Sequence, residues 1–197
     1  MTSITEQFKV ALPEGSSPSG RWSIEKFDVV PSLGSLYYAL QGRPVDPGTY
    51  TRLMRGKTVV MSDTPAEIYD ALDFYLATKA ICDVQSNRRV LIHGLGMGCT
   101  IKMALEAGAE SIDVVEIDKE LIDFIMPHYP NPRITVHHHD CLSKAWPPNT
   151  KWSVVWHDIW DTICDDNLPD MKRLHRRFGS RTQWQGSWAR ELLGRWS

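Results

Sequence analysis

Gly94-Leu95-Gly96-Met97-Gly98, Glu116, Asp140 and Asp158 are the residues whose types and spacing could do chemistry. Alternate glycines let a chain turn sharply and bring its backbone against a ligand with no Cβ in the way. The amides that open a following helix favour an electronegative group. An acid at the end of the next strand, Glu116, can accept hydrogen bonds from both hydroxyls of a ribose. Asp140, ending a third strand, can accept from an adenine amino group, and Asp158 ends a fourth strand beside the same crevice. A glycine turn alone is weak evidence, because strand-to-helix turns also use glycine for steric reasons. Acids at three further strand ends make the set specific.

These residues need a frame that delivers them to one edge. From residue 88 the pattern alternates: Val90–Ile92 strand, Thr100–Ala107 helix, Ser111–Ile117 strand, Lys119–Met126 helix, then strands at Ile134–His137 and Trp152–His157. Such alternation predicts a parallel, right-handed α/β sheet, whose ligands bind at the carboxyl ends of the strands. Before it, Trp22–Val30, Ser35–Leu40 and Tyr50–Met61 are rich in β-branched and aromatic residues and predict a small antiparallel β-unit behind a polar tail, over residues 1–61. The second part, residues 62–197, opens with a capped helix at Ser62–Glu67, with Pro65 in its first turn and Ile68, Leu72, Tyr75, Leu76 and Ile81 on one face. After Asp161 only helices are expected, at Leu168–Phe178 and Gln185–Leu193, so the sheet is expected to be shortened at its C-terminal end.

Composition bounds the function classes. The chain has 197 residues, 42% hydrophobic and 23% charged, with a net charge of −2, which excludes a surface that is everywhere a nucleic-acid footprint. Its four cysteines form no C-x-x-C pair and read as reduced thiols, so a cytoplasmic location is expected. Apolar runs fall far short of the roughly 20 residues that cross a bilayer, so no membrane partner is expected.

The glycine spacing lacks the third glycine that a dinucleotide fingerprint prefers, and an acid after the fourth strand has no obvious use with a dinucleotide. Val90 to Gly98, Val114-Val115-Glu116-Ile117-Asp118, His139-Asp140 and Val154 to Asp161 resemble the class I S-adenosylmethionine-dependent methyltransferases. Within them, V-E-I-D and the Asp158-Ile159-Trp160-Asp161 segment look most like the spermidine synthase branch, which also carries a small β-domain in front. The resemblance implies a Rossmann-like methyltransferase fold and a transferase using S-adenosylmethionine. Gly94, Gly96 and Gly98 would cradle the methionine part, Glu116 with Asp118 nearby would hold the ribose, and Asp140 and Cys141 would flank the adenine. Asp158, with Asp161, would orient or deprotonate the nucleophile of an unidentified acceptor. The alternatives are an aminopropyltransferase using decarboxylated S-adenosylmethionine and a non-catalytic binding or assembly protein on the same fold.

Two other features carry blander readings. His137-His138-His139 alternate across a strand and read as solvated imidazoles, with no metal site expected. The last 30 or so residues carry Lys172, Arg173, Arg176, Arg177, Arg181, Arg190 and Arg195 against Asp170 and Glu191, interleaved with Trp184, Trp188 and Trp196. Nucleic-acid binding there is possible in kind but less favoured than helices whose tryptophans pack on the sheet, which would also suit a homo-oligomer interface.

Overall fold

The computed structural model describes residues 4–31 and 45–193. A short helix, α1 (Ile4–Phe8), precedes β1 (Gly15–Ser16), β2 (Trp22–Val29), β3 (Gly48–Arg55) and β4 (Thr58–Ser62), paired antiparallel in that order. The strand expected at Ser35–Leu40 lies outside the described residues. Tyr50–Met61, expected as one strand, is a hairpin, because Gly56 at φ +60° reverses the chain between two runs of similar composition. The tail is less polar in effect than its composition suggests. Phe8, Val10 and Leu12 are buried, and the Asp63 carboxylate accepts from the backbone N–H of Val10 (3.1 Å) and Thr51 (2.6 Å), tying tail to sheet.

The chain continues through α2 (Pro65–Asp70), α3 (Leu72–Val84), β5 (Arg89–His93), α4 (Cys99–Glu106), β6 (Ser111–Glu116), α5 (Lys119–Ile125), β7 (Ile134–His138), β8 (Trp152–His157), α6 (Leu168–Phe178) and β9 (Thr182–Ser187). The single helix expected from Ser62 divides at Ala71, whose φ of −102° and ψ of 5° leave the helical range. Five strands form one parallel sheet in the order β7-β6-β5-β8-β9. This is the α/β, Rossmann-like arrangement, and its strand order reverses between β5 and β8. The glycine turn follows β5 and Asp158 follows β8, so both stand at the reversal.

Alternation along the strands separates two faces. Val90, Ile92, Val114 and Val154 pack with Phe74, Ile101 and Leu121 from α3, α4 and α5, in a cluster that also takes in Trp22 and Leu53 of the antiparallel sheet. Full burial of each such aliphatic side chain contributes about 1.5–3 kcal/mol. Leu91, Val115 and Val155 face the other way, against Leu174 and Phe178 of α6. Between β7 and β8 this second face is covered by a loop instead of a helix. Its Trp146 stands edge-on to His137 and Trp152, 4.9 and 4.7 Å between ring centroids.

The helix expected at Gln185–Leu193 is not formed. Thr182–Ser187 is a fifth parallel strand beside β8, followed by a single 3-10 turn at Arg190–Leu192. Its polar side chains hid it, because among the described residues only one edge of this strand is paired, and within the strand Trp184 supplies the large apolar contact, stacked on Trp156 at 6.3 Å. Trp188 donates its indole N–H to Asp70 (3.2 Å). Both tryptophans are engaged within the chain.

Candidate active site

A cleft of about 330 Å³ opens at the carboxyl ends of β5, β6, β7 and β8, roofed by the β3–β4 hairpin and Trp22. Gly94, Gly96, Glu116, Asp118, Asp140, Cys141, Asp158 and Asp161 all line it. Gly98 stands one step deeper, as the left-handed residue that opens α4. The three glycines have φ of +93°, +50° and +82°.

Their surroundings show what the turn accommodates. A Cβ on Gly94 would lie 1.9 Å from the carbonyl oxygen of Asp158, and one on Gly98 would lie 2.5 Å from the Tyr129 ring. A Cβ on Gly96 would meet the Met61 sulfur at 2.3 Å, and that thioether accepts a hydrogen bond from the backbone N–H of Met97 (3.1 Å). Met61 therefore leans from β4 over the glycine turn. It is a flexible side chain that the sequence did not single out.

Glu116 is almost fully buried, and each of its carboxylate oxygens already serves a backbone donor: Leu95 N–H (2.9 Å) and Asp118 N–H (2.8 Å). A carboxylate offers about four lone-pair sites, so acceptor capacity remains toward the cleft. The Glu116 side chain thus sets the glycine turn while lining the cleft. Asp118 is committed elsewhere. It caps α5 through Glu120 and Leu121 N–H, pairs with Arg21 (2.6 Å), and accepts from the Trp22 indole (3.1 Å). Asp161, expected as a second catalytic acid, sits at the rim in an ion pair with Arg55. These two contacts latch the antiparallel sheet across the cleft.

Asp140 accepts from Leu142 N–H (2.8 Å), and the neighbouring Cys141 thiol is pushed up to about 12 by burial, so it is an inert wall. Ile117 is 67% exposed yet lines the cleft, and with Leu142 it supplies the apolar surfaces that a flat ring would need. Neither was expected from the sequence, since a lone apolar residue at a strand end carries no pattern.

Asp158 differs from the other acids. Burial pushes its carboxyl up to about 7, the nearby Glu67 and Asp70 charges add to that, and the Trp156 indole N–H works against it. It also lines a smaller recess of about 40 Å³ that continues from the cleft between Met61, Glu67, Trp160 and Trp188. A carboxyl poised near neutrality at a cleft junction can hold or release a proton at working pH.

Beneath the glycine turn and Asp158 lies a buried imidazole pair. His93 and His157, the last residues of β5 and β8, face each other Nδ1 to Nδ1 at 2.8 Å. The Gln185 amide N–H donates to His175 O (2.9 Å), which leaves its oxygen to accept from His157 Nε2–H (3.3 Å). His157 Nδ1 is then the acceptor and His93 Nδ1–H the donor. Burial holds His93 well below the ordinary imidazole value and takes His157 to about 3, while His175 stands at about 4, through burial and then Arg190.

The linkage has a definite sign. The unfolded chain binds protons from about pH 6.5 downward that folded His157 refuses until about pH 3 and folded His175 until about pH 4, with His93 shifted in the same direction. Stability is therefore expected to be level above pH 6.5 and to fall as pH drops through that window, by up to about 1.4 kcal/mol per pH unit for each such imidazole. Asp158 acts oppositely between its unfolded value and about 7, so the measurement is urea unfolding across pH in an Asp158→Asn background. A level profile between pH 6.5 and 4.5 would contradict neutral burial of the pair.

The histidine run ends in local bonds. His137 pairs with Asp113 (2.9 Å), His138 donates to Ile117 O (3.1 Å) and His139 to Asp140 O (3.0 Å). Among the described residues no group of three His, Cys, Asp or Glu side chains could hold a metal ion, and no helix is long and apolar enough to cross a membrane.

No protein-family model matches the chain. A segment is similar to the ribosomal RNA small subunit methyltransferase A of Maridesulfovibrio salexigens, 32% identical over 75 residues, which is 36% of this chain and 28% of that protein. The match thus spans little more than a quarter of that curated relative. Among solved structures, a putative RNA methyltransferase from Pyrococcus horikoshii is 17% identical with a TM-score of 0.47, covering 65% of this chain and 61% of that one. A ribosomal protein L11 methylase from Lactobacillus delbrueckii subsp. bulgaricus is 16% identical with a TM-score of 0.43, over 60% and 61%.

Proposed function

We propose that this chain is an S-adenosylmethionine-dependent methyltransferase in which Asp158 takes the proton of the attacking nucleophile. The observation that carries this reading is the meeting, in one cleft at the strand-order reversal, of the glycine turn, Glu116 and a carboxyl held near neutrality. The similarity to a named methyltransferase supports the same class.

The cleft fits the cofactor in kind. Glu116 retains lone pairs for ribose hydroxyls, Ile117 and Leu142 offer apolar faces to the adenine, and Asp140 offers an acceptor for its amino group. Met61 lies over Gly96 and must turn aside for the methionine part, which its unbranched side chain allows. When bound, S-adenosylmethionine supplies an electrophilic methyl carbon on a sulfonium. The chain's own work is positioning and proton transfer. Asp158 orients an N–H or O–H nucleophile from the recess side, and its carboxylate accepts the proton that the nucleophile loses as it bonds to carbon. Leu53, Val60 and Trp160 limit water at that junction.

Calorimetric titration tests the reading. S-adenosylmethionine is expected to bind, and Glu116→Ala to weaken it by about tenfold or more, since hydrogen bonds to a charged acceptor contribute about 1.5–3 kcal/mol. Decarboxylated S-adenosylmethionine, run alongside, separates methyl from aminopropyl transfer. Absence of binding by both, with Glu116→Ala indistinguishable from wild type, would replace this reading with a non-catalytic one.

A further inference from the structure

We infer that the exposed face of α6, with the loop it clasps, is the docking surface for an RNA acceptor; the inference rests on the methyltransferase reading for what happens in the cleft. α6 buries Met171, Leu174 and Phe178 and turns Lys172, Arg173 and Arg176 outward. The helix carries four basic side chains of the Lys and Arg type against one acid, Asp170, in a chain whose net charge is −2. Among the described residues, none of these four cations is in an ion pair, although carboxylates partner eight other Lys and Arg side chains elsewhere.

Folding accounts for part of this face, since Arg177 is spent on the loop carbonyls and Arg173 reaches Leu142 O at 3.4 Å, but among the described residues Lys172 and Arg176 have neither an ion pair nor a hydrogen bond. Like charges three and four positions apart repel, at about 0.2–0.5 kcal/mol per pair. The helix dipole favours cations in the last turn, but Lys172 and Arg173 stand before it. Basic side chains clustered on one exposed face, against their mutual repulsion, suit a polyanion.

The same helix is joined to the cleft. Arg177 donates to the carbonyls of Cys141 (3.0 Å), Leu142 (2.7 Å) and Lys144, and those carbonyls belong to the loop whose Cys141 and Leu142 line the cleft. Lys144, over the Trp146 ring at 4.5 Å, and exposed Lys151 extend the positive charge along that loop. A strand whose phosphates lie on α6 therefore reaches the rim, where exposed His139 and half-buried Trp160 present flat rings to a base. Charge alone would also suit an anionic membrane. The outward positions of α6 carry no large apolar side chain to insert into lipid, whereas phosphates need only the cations. RNA is favoured over other polyanions because the relative sharing 32% identity is named for ribosomal RNA.

The test is fluorescence anisotropy with a fluorescein-labelled stem-loop RNA of about 30 nucleotides, on the full chain, from about 50 to about 200 mM salt. Replacing Lys172, Arg173 and Arg176 together by glutamine is expected to weaken binding at least about tenfold and to reduce the salt slope by about 2 to 3, at about 0.7–0.9 per phosphate contact. Lys79→Gln, on α3 across the sheet, is expected to change neither. S-adenosylmethionine binding, measured by calorimetry on the same variant, is expected to stay at the wild-type value, which shows an intact fold. RNA binding with an unchanged salt slope in the triple variant overturns the proposal. So does wild-type protein that binds S-adenosylmethionine but not RNA, or that binds phosphatidylserine vesicles through these residues and not RNA. If RNA binding tracks α6 while S-adenosylmethionine is not bound, the docking surface stands and the methyltransferase reading falls.

Discussion

Asp158→Asn is expected to leave S-adenosylmethionine affinity within about twofold of wild type while lowering turnover by about 10²–10⁴-fold, the usual worth of a positioned general base. The side chain keeps its shape and loses only the capacity to take a proton. With the carboxyl pushed up to about 7, wild-type kcat/KM is expected to rise with pH through that value, because the protonated form below it cannot accept. The residual activity of the variant should lack that limb. Stability supplies an independent check of sign. Because the folded value lies above the unfolded one, the folded chain binds the extra proton, and the associated stability fades as pH rises through about 7. At pH 8 the neutral variant should therefore melt no lower than wild type. Full turnover in Asp158→Asn, or an identical pH limb in both proteins, would remove Asp158 from the proton-transfer role.

Gly94→Ala is expected to be the most damaging added methyl among the described glycines. Gly94 and Gly108 share a φ of +93°, a region that L side chains rarely adopt, so alanine is strained at both by about 1–2 kcal/mol. At Gly108 the nearest atom to an added Cβ is Cys82 Cβ at 3.6 Å, an ordinary contact. At Gly94 it is the Asp158 carbonyl oxygen at 1.9 Å, and backbone cannot swing aside as a side chain can. Relief requires β5 and β8 to part at their ends, which also breaks the Asp158 N–H to His93 O bond (2.9 Å). Gly108→Ala is expected to lower Tm by about 2–8 °C, from about 2–4 °C per kcal/mol in a chain of this size. Gly94→Ala is expected to lower it by more than twice as much and to abolish cofactor binding. Equal melting losses in the two variants would show that strain alone, and not the approach of β5 to Asp158, makes Gly94 a glycine.

The sequence was legible where periodicity and local chemistry agree. The alternation from Val90 to His157 determined a parallel α/β sheet, and it brings the acids and glycines of four strand ends to one edge, because parallel crossovers return every strand in the same direction. It misled where a partner element decides conformation. The polar run at Thr182–Ser187 is a strand because β8 pairs with it and Trp156 stacks with Trp184, neither of which is visible in a local window. Phe8, Val10 and Leu12 join the core through contacts across the chain.

Residue types and spacing alone pointed to the candidate residues, eight of which line the one cleft. Only the tertiary structure decided their duties. It turned Asp118 and Asp161 into latches for Arg21 and Arg55, committed part of Glu116 to the glycine turn, and left Asp158 as the acid that burial holds near neutrality. The physical reason is that a carboxyl's proton affinity depends on its water, neighbouring charges and hydrogen bonds, all set by residues distant in the chain.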